Sequence, residues 1–173
     1  AMPRPDDVQV VETQIGRPVR APARVVSRCH LGLPVVIEVP PHLDDGTPFP
    51  TLFWLTCPLA QTRIGRLEGA GGVKRMENRA EADSDFAARL ESAHQSYRSL
   101  RDAQIEEGAS PPPTGGVGGA RAGVKCLHAH YAHTRAGGDN PVGELVQAWI
   151  EPLDCLVPCV VGDGYNPEWV NRQ

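Results

Sequence analysis

The sequence lacks three features that would have placed it in a large class of proteins. It has no run of about 18 apolar residues, so no membrane insertion is expected. It has no surplus of basic residues: the net charge is −4, which gives no electrostatic footprint for nucleic acid. Its first residues contain Pro and Asp where a secretory signal would be apolar. We therefore expect a cytoplasmic protein that does not bind nucleic acid.

Two common catalytic motifs are also absent. The glycine-rich run at 115–119 has neither the preceding strand nor the lysine of a phosphate-binding loop. No serine stands in the strand-to-helix turn that is typical of the α/β-hydrolases. Chemistry of either kind therefore has no support in the sequence.

The informative residue types in the sequence are glycine, proline, cysteine and histidine. The 173 residues fit a single domain, and 18 Gly with 17 Pro predict many turns and long connections. We expect 108–123 to be a flexible Pro/Gly loop. Residues 1–5, with Ala1 preceding Met2, are expected to be disordered or derived from a tag. Five cysteines in a reducing compartment favour free thiols, metal ligands or a redox pair over structural disulfides.

Hydrophobic periodicity predicts an α+β fold, with a small, mostly antiparallel sheet of about three strands packed by four to five helices, one of them long. The strands are predicted at 23–29, 35–39 and 51–55, with the first two forming a hairpin. The helices are predicted at 6–15, 56–69, 81–107, 124–135 and 140–149.

The segment 81–107 has no Gly or Pro and predicts one helix of about 40 Å. Its apolar residues alternate spacings of four and three, which is typical of the narrow seam of a coiled coil. They are Phe86, Leu90, Ala93, Tyr97 and Leu100. Such a helix packs on one neighbouring helix. That neighbour belongs to the same chain, to a second copy in a homodimer, or to a coiled-coil partner.

Four candidate ligands lie within the segment 125–133. On a regular helix, Cys126, His130 and His133 share one face. If the helix begins only after Cys126, the bend instead points Cys126 and His128 the same way. A thiol with imidazoles suits zinc or iron, which accept sulfur and nitrogen together.

Cys57 is a candidate nucleophile or metal ligand. It follows Thr56, a predicted N-cap, so it should lie in a first helical turn, where free backbone N–H groups and the helix dipole favour a thiolate. The alternative is a small apolar residue at the end of a buried strand. Cys29 also ends a strand and would meet Cys57 at one sheet edge if the first and third strands were parallel neighbours. Cys155 and Cys159 are either buried thiols or ligands.

Several short motifs occur in a familiar order: Arg28-Cys29, 46–51 (GTPFPT), 55–58 (LTCP), 64–68 (IGRLE) and 124–128 (VKCLH). Over about Ile15 to Gly143 the chain resembles a bacterial family known as domain of unknown function number 501. The resemblance implies a small intracellular protein with no assigned activity. The family's genes often lie near those of a septum-formation protein and an exopolyphosphatase, and the resemblance therefore implies a housekeeping or division-linked role. Its motifs correspond here to Cys57, Cys126, His128 and His133, with His130 and Cys29 in reserve.

Three hypotheses follow. In the first, zinc or iron is bound by Cys57, Cys126, His128 and His133; three ligands plus water would permit hydrolysis, and four would make the ion structural. In the second, Cys57 is a catalytic nucleophile in a thiol or redox enzyme, with Cys126 as the resolving thiol or a histidine as base. In the third, the chain is an interaction or scaffold protein that uses the 81–107 helix, and the Cys/His cluster only stabilises the fold.

Overall fold

Helices and a small sheet alternate along the chain, and the predicted α+β class is confirmed. The structure is a computed structural model that describes residues 6–171, so the predictions for residues 1–5 lie outside it. The strands are β1 (Arg24–Arg28), β2 (Pro34–Glu38), β3 (Phe53–Leu55), β4 (Val160–Val161) and β5 (Gly164–Tyr165). The helices are α1 (Asp7–Ile15), α2 (Pro58–Gly69), α3 (Gly72–Ala82), α4 (Ser84–Asp102), α5 (Leu127–Arg135) and α6 (Pro141–Ile150).

The main sheet has the order β1-β2-β3, and both of its pairings are antiparallel. Successive side chains of β3 point to opposite faces, as strand geometry requires. Phe53 and Leu55 enter the main core beneath the helices, whereas Trp54 joins a second apolar cluster with Ile37 and Val11. The third strand is thus covered on both faces, as its apolar sequence predicts.

The apolar seam predicted for the long helix packs inside the chain. Four of its five residues are buried in α4, and the fifth, Leu100, is 48% exposed. The hydroxyl of Tyr97 accepts hydrogen bonds from the backbone N–H groups of Leu52 (2.6 Å) and Phe53 (3.2 Å). These bonds join α4 to the start of β3.

The predicted single helix at 81–107 is wrong at both ends. Residues 81 and 82 end α3, a helix that periodicity missed, and α4 runs for 19 residues or about 28 Å. The reason is Asp83, whose backbone is extended and whose carboxylate accepts the N–H groups of Asp85 and Phe86. This N-cap starts a new helix without any Gly or Pro. As a consequence the described residues hold six α-helices rather than four or five.

Arg101 anchors the segment that follows α4. Its side chain is 1% exposed, and its guanidinium donates to the carbonyl oxygens of Gly115 (2.8 Å) and Pro50 (3.2 Å). The N–H of Val117 donates to Nδ1 of His94 at 3.1 Å, and Val117 itself is buried. Part of the 108–123 segment is therefore held against α4 and the residues that precede β3.

Across residues 6–171, no helix combines the length and the apolar character needed to cross a bilayer.

Candidate metal centre

The start of α5 determines which candidate ligands meet. Cys126 is the N-cap, with an extended backbone (φ −154°, ψ 123°), and helical geometry begins only at Leu127. This corrects the predicted start at 124. The bend brings Sγ of Cys126 to 3.6 Å from Nδ1 of His128. The alternative in which a later helix start pairs Cys126 with His128 is confirmed.

Glu68, from the last turn of α2, completes this group. Its Oε1 lies 2.9 Å from Nδ1 of His128, and its Oε2 accepts the backbone N–H of Leu127 at 2.9 Å. That N–H has no partner within the helix because it belongs to the first turn of α5, so a carboxylate is favoured there. Within the described part of the chain, Glu68, Cys126 and His128 form the one group of three such side chains whose ligand atoms all lie within 4.8 Å of one another.

The group opens onto a cleft of about 330 Å³ beside the edge strand β3. Cys126 and His128 line this cleft, and all three ligand candidates are partly exposed. The remaining walls are mainly apolar and aromatic, with Gln61 and Thr51 as the polar members: Thr51, Phe53, Trp54, Leu55, Gln61, Gly118 and Ala129. A small molecule could therefore reach the donor atoms.

The charges around His128 favour its protonated form. Burial lowers the pKa of His128, but the hydrogen bond and charge of Cys126, then the charge of Glu68, outweigh that effect and raise the pKa overall. The other ring nitrogen, Nε2, lies 3.4 Å from the carbonyl oxygen of Gln61. The site thus has a thiol and a carboxylate facing one imidazole nitrogen.

His130 and His133 belong to a different, buried cluster centred on Asn140. The Oδ1 of Asn140 accepts the N–H groups of Val142 and Gly143 and caps α6. Its Nδ2 lies 2.9 Å from Nδ1 of His130 and 3.2 Å from Nδ1 of His133. Burial lowers the pKa of His130 to about 3 and that of His133 to about 4, so both rings are neutral.

Cys57 also lies outside the group. It is itself the N-cap of α2, so the predicted cap at Thr56 is wrong. Burial raises the pKa of Cys57 to about 12, although the N–H groups of Ala60 and Leu59 act in the opposite direction, and this favours the alternative of a small apolar residue over a thiolate. Cys57 is only 7% exposed and lies in an apolar core. Desolvation therefore destabilises its thiolate form more than the helix N-terminus stabilises it.

The other cysteines stand apart from this centre. Cys29 does not adjoin Cys57 through neighbouring strands, because β2 lies between β1 and β3. Cys29 instead lines a cleft with Cys155, whose Sγ accepts the indole N–H of Trp169 at 3.3 Å. Cys159 is buried and lies 3.8 Å from Nε2 of Gln14. All five thiols are free.

The four residues proposed as ligands from the sequence are therefore divided. Cys126 and His128 are brought together, His133 is placed around Asn140, and Cys57 is placed in the core. Glu68 was missed because it lies far upstream and joins the group only through the packing of α2 on α5. It stands in one of the motifs that carried the resemblance, 64–68, and that is the signal that could have identified it.

Comparison with known proteins gives a family and no activity. No curated protein matches the chain, and no solved structure matches it. The family described as "Protein of unknown function (DUF501)" matches residues 25–148, a range that contains Glu68, Cys126 and His128 and ends before Cys155 and Cys159. This match covers well over half of the chain and agrees with the resemblance of its motifs, so the protein belongs to the DUF501 family.

Proposed function

We propose that this protein binds a transition-metal ion, zinc in preference to iron, through Glu68, Cys126 and His128. The observation that carries the proposal is that a sulfur and a carboxylate oxygen face the same ring nitrogen, Nδ1 of His128. The three donor atoms lie within 4.8 Å of one another, close enough to share one cation. Mixed sulfur, nitrogen and oxygen donors suit zinc, whereas magnesium and calcium take oxygen alone.

A thiol–imidazole–carboxylate relay would look different. In such a triad the imidazole bridges its partners, with the nucleophile on one ring nitrogen and the carboxylate on the other. Here both partners face Nδ1, and Nε2 faces a backbone carbonyl. The geometry therefore favours coordination over nucleophilic catalysis at Cys126, and the high pKa of Cys57 disfavours catalysis there.

The surroundings also support metal binding. A metal-bound histidine usually donates its second N–H to a carbonyl or carboxylate, and Nε2 of His128 faces the Gln61 carbonyl at 3.4 Å. The second oxygen of Glu68 is held by the Leu127 N–H. Both side chains are thus oriented before any ion binds.

Three protein ligands leave one tetrahedral position, which would face the cleft. Catalytic zinc sites have this composition, with water in the fourth place, whereas structural sites have four protein ligands. We therefore propose hydrolytic chemistry on a small molecule that enters beside β3, with the ion lowering the pKa of its bound water. The five free thiols fit a reducing compartment, and we place the protein in the cytoplasm.

Metal analysis of the purified chain tests the proposal. We expect about one zinc per chain after purification without chelator. Cobalt substitution should produce a thiolate-to-cobalt charge-transfer band, because Cys126 supplies the sulfur. Cys126→Ser should abolish that band and the stoichiometric metal, whereas Cys29→Ser, at a partly buried thiol in another cleft, should retain both. Protein that takes up no zinc or cobalt, or that loses them equally in the two variants, contradicts the proposal.

Self-association through α4 is the second candidate. Leu100 is the one exposed residue of the apolar seam and lies near the end of the helix. Because the other four are buried within the chain, the contact available to a partner is small. Sedimentation should then show a weak dimer that Leu100→Asp dissociates. A wild-type chain that is monomeric at high concentration contradicts this candidate.

A further inference from the structure

A second cleft lies on the opposite face of the sheet from the helices that hold the metal centre. Its volume is about 310 Å³, at the lower end of the range for small-molecule pockets. Its floor is apolar and includes Val39 and Ala21, both buried. Val19, Leu43, Phe49 and Trp54 form its walls, and Arg17 and Arg20 stand at its exposed rim.

The wall of the cleft contains two aromatic rings in contact and a cation over one of them. The rings of Phe49 and Trp54 are tilted by 44°, with their centroids 5.7 Å apart. The guanidinium carbon of Arg17 lies 4.3 Å from the centroid of the Trp54 ring. A guanidinium stacked on an aromatic face keeps its in-plane N–H groups available for a carboxylate or a phosphate.

The two arginines form no close ion pair among the described residues. Within residues 6–171, neither Arg17 nor Arg20 has a carboxylate oxygen within 4 Å, unlike Arg28 and Arg89. Asp45 is engaged by Thr47, whose hydrogen bonds lower the pKa of Asp45, and the charge of Arg20 lowers that pKa further. The cleft therefore combines an apolar aromatic interior with a cationic rim.

From this combination we infer that the cleft binds a small organic anion, made of a planar aromatic ring that carries a carboxylate or a phosphate group. The ring fits against Phe49 and Trp54, where it would be removed from water. The anionic group meets Arg17 and Arg20 at the rim, where paired N–H donors match two oxygens. An apolar ligand without charge would leave the arginines unused, and a cation would be repelled.

Calorimetric titration of the full chain with three matched probes tests the inference. The probes are 2-naphthoate, 2-naphthyl phosphate and the neutral 2-naphthamide, so the two kinds of anion are distinguished from each other and from the ring alone. We expect at least one of the two anions to bind about tenfold more tightly than the amide, the factor that one charge-assisted hydrogen bond provides.

Variants locate the binding. Arg17→Gln should weaken binding of the preferred anion about tenfold more than it weakens binding of the amide. The matched control, Arg66→Gln, removes an exposed arginine of α2 and should change neither. Binding should persist in Cys126→Ser, which separates this cleft from the metal centre. Equal affinity for all three probes, no binding by any, or an unchanged affinity in Arg17→Gln would overturn the inference.

Discussion

Helix α5 places its histidines in two environments that differ in almost every respect. His128 is 29% exposed, faces a cleft, and has a thiol and a carboxylate as neighbours. His130 and His133 are fully buried and share the side-chain amide of Asn140. The neighbours of His128 are anionic or can become so, whereas Asn140 is neutral.

The contrast shows that neighbouring charge, more than residue type, decides what a histidine can do. A cation beside His128 would be stabilised by Glu68 and by the Cys126 thiolate. A cation beside His133 would meet an amide, an aromatic stack with Phe53 and the edge of Tyr97. The first environment fits metal binding, and the second fits a neutral ring that stabilises the fold.

The largest expected effect is on stability, from Asn140→Ala. The change removes an N-cap and leaves Nδ1 of both buried rings without a donor, which should lower the free energy of unfolding by about 4 kcal/mol. Asp83→Ala is the matched control, since Asp83 caps α4 through two N–H groups but contacts no histidine; it should cost about 1 kcal/mol. Urea unfolding of the zinc-free chain measures both. Equal losses would show that the two histidine bonds contribute nothing.

The second-largest expected effect is a difference in zinc affinity between substitutions in the two histidine environments. His128→Gln should weaken zinc binding by more than about a hundredfold, beyond what a change outside the ligand shell produces. His133→Gln, a substitution of the same type on the same helix, should leave zinc affinity unchanged within about threefold. Competition with a chromophoric chelator measures the two affinities. A comparable loss in His133→Gln would break the distinction between the clusters.

A smaller effect is expected at Gly138. A Cβ atom there would overlap the imidazole of His133, so Gly138→Ala should force the ring to shift and cost about 2 kcal/mol. Gly137 is the control: its φ of +95° makes alanine strained, but nothing lies near its Cβ position, so the cost should be about 1 kcal/mol. NMR signals of the His133 ring should move only in Gly138→Ala. Unchanged ring signals in that variant would contradict the packing argument.

The smallest expected effect, taken per pH unit, is in the pH dependence of stability. The pKa of His133 is about 4 in the folded chain against an ordinary value of 6.5. Between these values the unfolded chain binds a proton that the folded chain does not. Stability that is complete above pH 6.5 is therefore lost as the pH falls toward 4, at about 1.4 kcal/mol per pH unit from this group. Unfolding measured across this window should have a shallower slope in His133→Gln. An identical slope would show that His133 is protonated in the folded chain.

Local signals in the sequence predicted much of the fold. The hairpin of β1 and β2, the third strand and the Asn140-Pro141 start of α6 all depend on residues close together in the chain. The break at Asp83 was missed because an aspartate inside a polar, helix-compatible stretch resembles any solvent-facing residue. Its role as an N-cap becomes visible only when α4 turns away from α3.

The candidate site was partly predictable for the same reason. Cys126 and His128 are two positions apart, so their meeting depends only on where α5 begins. Glu68 reaches them through tertiary packing, which no spacing reveals. The burial of Cys57 and His133 depends on which elements cover each face, and burial changes a reactive thiol or a metal ligand into an inert core residue.

Arg101 has a practical consequence for anyone who needs to modify this protein. Its guanidinium holds Gly115 and Pro50 in place, and the chain between α4 and this anchor packs on the loop that contains His42, whose Nε2 lies 2.7 Å from the carbonyl oxygen of Pro111. Gly108 lies in that stretch, is exposed, and has no atom near its Cβ position. A fluorescent label attached there would lie beside Leu43, a wall residue of the aromatic cleft, and would therefore report on binding in that cleft, whereas the metal centre does not include Leu43.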